Sequence, residues 1–237
     1  MAERKEFGDG IIFTIGNYVW WFFAANIYFL LVNIPFIFIS LVSAQTGASG
    51  ISLLSIICSL PIGPALAALF SVMGKLIREK DIDVTKDFFK AYKTNFLEGL
   101  FFWTILVFIL SAIYIDITVI KTSQIFNILF YVMALIIVSQ AFYIFTFISR
   151  FYLRKIDVVK LAFIYSIKKI HVTILNWILL VLIAILVTII PIILILFICS
   201  IYAYLAMYMQ KGILKEIEEK FSNNKENTNN DMQRAGN

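Results

Sequence analysis

The sequence predicts an all-α protein, a polytopic transmembrane helical bundle of six spans with N- and C-termini cytoplasmic, and three observations carry that reading. Of its 237 residues 61% are hydrophobic and 15% charged, whereas soluble domains hold about 45–50% apolar and about 25% charged residues. No Asp, Glu, Lys, Arg or His occurs in residues 10–74 or 172–210, stretches too long for the core of a 27.2 kDa soluble protein but natural in a bilayer. The remaining charges, net +5, fall in short blocks between apolar segments. That is the pattern of cytoplasmic loops under the positive-inside bias, and it argues against nucleic acid as a partner.

The elements follow in order. Residues 1–9 are polar, and 10–17 form a short apolar stretch expected at the membrane interface. The first helix, 18–43, opens on the interfacial cluster Tyr18, Trp20 and Trp21. Its apolar run exceeds the ~7–15 residues of a signal-peptide core, so it is expected to remain uncleaved. A small, polar turn at 44–50 leads to helix two, 51–75. The first charged loop, 75–98, has six basic and five acidic residues. Helices three (99–120) and four (125–149) flank a short loop at Lys121. The second charged loop, 150–171, has six bases against one acid. As one helix the apolar run 172–210 would be about 58 Å long, nearly twice a ~30 Å hydrocarbon core. With Pro191 at its middle it is expected to form two helices, 172–190 and 192–210. Six spans then place 19 of the 20 Lys and Arg residues on one side, with Lys121 alone opposite. A transmembrane domain over 1–215 and a cytoplasmic tail over 216–237, disordered beyond Ser222, complete the expectation.

The two charged loops resemble each other at an offset of 74 residues. Ile82-Asp83-Val84 matches Ile156-Asp157-Val158, Lys86 matches Lys160, Phe89 matches Phe163 and Trp103 matches Trp177. This reads as a parallel repeat of helices two–three and four–five, or as two turns sharing ordinary helix-start signals, Asp being a good N-cap.

Two stretches carry the candidate functional residues. In Leu60-Pro61-Ile62-Gly63-Pro64-Ala65 the prolines remove two backbone donors, so helix two should break or kink there. Pro61, Gly63, Pro64 and Ala67 then form either a hinge or cavity wall, or a close-packing face in which Gly63, Ala67 and Ser71 recur every four residues. In the first charged loop, residues 83–96 place Phe88, Phe89, Tyr92 and Phe96 on one helical arc and Lys86, Lys90 and Lys93 on another. Such a helix lies in the interface with its lysines snorkelling, or presents an aromatic face to a partner. Phe88, Phe89, Lys90, Tyr92 and Lys93, with Asp157 and Lys160 of the second loop, are the candidate partner contacts.

Chemistry-bearing clusters are not evident. Asp116 lies toward the outer end of helix three, and His171, the sole histidine, has no Ser, Cys or carboxylate constellation around it. Asn26, Asn33, Asn127 and Gln140 read as interhelical hydrogen-bond groups, and Cys58 and Cys199 as small hydrophobes. No enzyme activity, cofactor or metal is expected, and no phosphate-cradling Gly-x-x-x-x-Gly-Lys motif occurs.

A first helix bearing Asn33 and Pro35, the Leu60-Pro61-Ile62-Gly63-Pro64-Ala65 stretch, Lys75-Leu76-Ile77-Arg78, and Asp87-Phe88-Phe89-Lys90-Ala91-Tyr92-Lys93-Thr94-Asn95-Phe96 together resemble the YesL-like family of bacterial membrane proteins. The likeness is sharpest over 58–98 and extends over about 7–215; the segment before the Pro-Ile-Gly-Pro motif is longer than is usual in that family. The resemblance implies a bacterial cytoplasmic membrane of Firmicute type and a link to carbohydrate uptake. The expected role is an accessory integral-membrane component of a carbohydrate ABC import system, contacting the permease subunits. The alternative is a stand-alone facilitator or channel for a small polar solute.

Overall fold

The computed structural model describes residues 11–46, 52–79, 81–120, 123–189 and 195–235. Among them every regular element is helical. The chain order is α1 (Ile11–Val32), α2 (Ile34–Thr46), α3 (Leu53–Ser59), α4 (Ile62–Glu79), α5 (Val84–Thr94), α6 (Phe96–Ile115), α7 (Gln124–Ile148), α8 (Lys155–Lys168), α9 (Ile170–Ile189) and α10 (Ile198–Ala235), with a π-helical turn (Asp116–Ile120) extending α6. Among the described residues five stretches are long and apolar enough to cross a membrane: Phe13–Val32, Leu53–Glu79, Phe96–Thr118, Gln124–Ile148 and Ile170–Ile189.

The expected first helix is two helices. Pro35 cannot donate to the carbonyl one turn back, and its ring crowds that carbonyl. The chain turns at Asn33, whose N–H bonds Leu30 O at 3.0 Å while its side-chain amide takes Phe29 O at 2.8 Å. The first helix also begins earlier than expected, at Ile11. The break expected in helix two is present: α3 ends at Ser59 and α4 starts at Ile62. Pro191 and most of the expected turn at 44–50 lie outside the described residues, but two helices, α9 and α10, do flank Pro191.

The second charged loop holds a helix, α8, that mirrors α5. Both loop helices end in a bend, at Asn95 and Lys169, and the helices that follow, α6 and α9, are each 20 residues long and begin 74 residues apart. Each carries a tryptophan tied back to a serine. Trp103 donates to Ser59 Oγ at 3.4 Å and Trp177 to Ser139 Oγ at 2.8 Å. The correspondence stops short of the caps. Asp83 caps α5 through its side chain, whereas Asp157 lies inside the first turn of α8, and Arg154 holds the cap position.

Helix α10 runs on to Ala235. No Gly or Pro interrupts residues 213–235, and extending an existing helix costs far less than nucleating one. The bundle also reaches past residue 215, since Ile217 is buried. The core is centred on α4, eleven of whose eighteen residues are buried; α1, α5, α6, α7 and α10 surround it.

Candidate functional site

The proline-glycine stretch is where α4 meets α6 without side chains between them. Pro61 precedes α4 and Pro64 lies in its first turn, where backbone N–H groups have no helical partner to lose. The carbonyl that Pro61 cannot serve, Ile57 O, accepts from Leu60 N at 3.2 Å instead. A Cβ built on Gly63 would collide with Gly99 O and the Trp103 Cβ, and one on Gly99 would lie 2.8 Å from Pro64 Cα. The two backbones therefore touch, as small-residue motifs allow in membranes. Ala67 is fully buried one turn further along. At Gly74 the space a Cβ would need holds the Met207 methyl of α10.

The loop helices supply the second group. Asp83 accepts from Lys86 N at 3.2 Å, and this bond holds its carboxyl below the usual range. The residues of α5 then divide. Phe88 is fully buried, its ring 5.8 Å from Tyr28 of α1 and 6.4 Å from Tyr92, so it serves the core and does not belong with the surface set. Tyr92 is half-buried, and burial pushes its phenol up. Phe89, 47% exposed, with Lys90 and Lys93 faces outward. On α8, Asp157 and Lys160 are exposed, beside Ile156, Val159 and Phe163, which are also exposed. Lys160 borders an apolar groove of about 450 Å³ between α6, α7 and α8, where the Lys155 ammonium sits 3.8 Å above the Phe101 ring.

Ion pairs invisible to sequence reading bind this charged end together. Lys75 reaches both Asp87 oxygens at 2.8 Å, joining α4 to α5. Arg150 holds Glu218 through Nε at 2.7 Å, and Lys168 holds Glu216 at 2.6 Å. Both charged loops and the helical tail thus converge on one end of the bundle. At a distance from it, Asn26 of α1 accepts from the N–H groups of Cys199 and Ser200 at 3.1 and 3.3 Å and donates to Ile195 O at 2.9 Å, capping α10 from another helix. Gln140 bonds Ser166 at 2.9 Å, linking α7 to α8. Hydropathy flagged these amides as polar groups within spans, but nothing in it names their partners. His171 is exposed at the start of α9.

Residues 13–117 match the family described as "Protein of unknown function, DUF624", which is the YesL-like family. The chain is also 29% identical over 161 residues to "Uncharacterized protein YteU" of Bacillus subtilis (strain 168), covering 66% of this chain and 72% of that protein. No solved structure matches it.

Proposed function

We propose that this chain, a DUF624-family membrane protein by its residues 13–117, is a non-enzymatic accessory component of a carbohydrate ABC import system in the bacterial cytoplasmic membrane, working by contact with the permease subunits. The supporting observation is the division of labour between interior and charged end. The interior along α4 is closed by backbone contact at Gly63 and Gly99 and by Ala65, Ala67, Ala68 and Leu69, none of them exposed. The charged end instead presents apolar side chains beside lysines on two helices of like placement, Phe89 with Lys90 and Lys93, and Val159 and Phe163 with Lys160. The six spans with both ends cytoplasmic expected from the charge distribution would put these helices on the side where a permease meets its ATPase. The carbohydrate link itself comes from the family resemblance.

Mild-detergent purification of the tagged protein from its native host, with mass spectrometry of what co-purifies, tests the proposal. Stoichiometric permease subunits, lost on Phe89→Ala with Phe163→Ala while membrane insertion persists, are the expected result. Recovery of the protein alone at native expression sinks it. A facilitator for a small polar solute is the second reading. It is favoured by the buried amide oxygens of Gln140, Asn176 and Gln210, which accept no hydrogen bond among the described residues; solute uptake into liposomes holding the protein alone decides it.

A further inference from the structure

A polar cavity of about 250 Å³ opens between the charged ends of α4 and α7 and the outer side of α5. Four cations line it, Lys75, Arg78, Lys90 and Arg150, against one carboxylate, Asp87, with the Thr94 hydroxyl beside them. The carboxylate is already committed, since both its oxygens lie 2.8 Å from the Lys75 ammonium. Glu218 engages Arg150 through Nε and one terminal nitrogen. A guanidinium carries five N–H groups, so Arg150 keeps donors to spare. The Arg78 guanidinium has no ion-pair partner within bonding distance among the described residues; it is partly desolvated and repelled by Arg150, with Glu79 and Glu218 attracting it only from a distance. Folding therefore gathers two guanidiniums and two ammoniums around one space, and a bound anion relieves that repulsion.

We propose that this cavity binds a phosphate group, carried by a membrane lipid headgroup or by a small soluble phosphate ester. A carboxylate is satisfied by one arginine fork, whereas phosphate brings a charge of about −1.5 to −2 and three strong acceptor oxygens, a match for cations arriving from α4, α5 and the turn after α7. Arginine is the residue that meets such oxygens two at a time. The site lies where the Leu53–Glu79 stretch ends, and basic pockets between helices at that depth suit phospholipid headgroups. This site requires no second protein and shares only Lys90 with the docking surface.

The full-length protein, purified in mild detergent, is tested in two arms. Native mass spectrometry measures retention of added phosphatidylglycerol, and thermal unfolding measures stabilisation by inorganic phosphate and by glucose 6-phosphate over equal ionic strength of chloride. Lipid retention without stabilisation by either soluble anion assigns the phosphate to a headgroup; stabilisation by a soluble anion assigns it to a free ester. In either case Arg78→Gln and Lys90→Gln should each weaken binding at least tenfold, while Lys86→Gln, the same charge change on α5 outside the cavity, leaves it unchanged. Arg78 and Lys90 are chosen because neither holds an ion pair within bonding distance among the described residues, unlike Arg150. Binding of none of the probes, or binding equal in the wild type and both variants, overturns the proposal.

Discussion

Helices α4 and α9 are both apolar and of similar length, yet the fold treats them differently. Eleven of eighteen residues of α4 are buried, against three of twenty on α9, Val172, Thr173 and Asn176. Of the stretches to which they belong, the one holding α9 is the more apolar. Hydrophobicity alone therefore does not determine which helix is enclosed. In a bilayer a leucine gains little by exchanging lipid tails for other leucines, so close association falls to shape and hydrogen bonding. Helix α4 offers Gly63, Ala67, Ala68 and Gly74, over which α6 and α10 settle closely. Helix α9 offers Ile178, Val181, Leu182 and Ile185, all about half exposed and lining a wide apolar groove against α7, a surface suited to lipid. The residues of α9 that are buried near its start include those with polar partners: Thr173 donates to Ser166 O at 2.9 Å and so accepts from the Tyr143 hydroxyl at 2.8 Å.

The largest test of this contrast is at the backbone contact. Gly63→Leu should cost more than the about 1–3 kcal/mol usual for overpacking, because the obstructing atoms are backbone and cannot swing aside. The expected result is loss of most folded protein in detergent, followed by thermal unfolding and circular dichroism. Gly16→Leu is the control, since nothing lies within 4 Å of its Cβ position. A Gly63→Leu protein as stable as wild type would break the packing account.

A truncation pair comes next. Leu69→Ala on α4, at a fully buried site, should destabilise by about 2–5 kcal/mol. Leu182→Ala on α9, half exposed, should stay within about 0.5 kcal/mol. Equal effects, measured by denaturant titration in the same detergent, would mean that α9 is enclosed by a partner or a second copy.

The smallest effect expected is at the charged end. Hydrogen bonds from Lys168 and Lys220 hold the Glu216 carboxyl at about 2, below its ordinary 4.5. A carboxyl whose proton affinity falls on folding stabilises the folded state above its unfolded value. That contribution is lost as pH drops from 4.5 toward 2. Glu216→Gln should flatten the acid side of the stability profile over that window by lowering stability at neutrality and leaving it unchanged near pH 2, and modestly so, since the groups face solvent. An unaltered acid limb would mean the α10 extension adds nothing there.

Much of the fold is legible from the residue order. The charge-free runs predict helices because a segment in hydrocarbon must satisfy its own backbone, and the break before α4 follows from a proline that cannot donate. Pro35 equally marks the break at Asn33, although the unbroken apolar run across it predicts a single helix over 18–43. Helix α8 was implied by its likeness to α5, but six bases within 150–171 made that segment look like a loop. At the candidate surfaces the periodicity of α5 places Phe88 and Phe89 on one arc; Tyr28 of α1 touches both rings, and only the packing of α5 against its neighbours leaves Phe88 buried and Phe89 exposed.

By itself, then, the sequence determined an all-helical membrane protein, where its charges gather and where prolines interrupt it, because these follow from local covalent geometry and from the cost of bare backbone in lipid. Only the tertiary structure decided that Arg78 would share a cavity with Arg150, that Asn26 would cap a helix with which it pairs 174 residues away, and that α4, with its small residues at the close contacts, would be enclosed while the more apolar α9 stays largely uncovered. Those outcomes depend on which helices approach one another and how closely, and hydropathy carries no information on either.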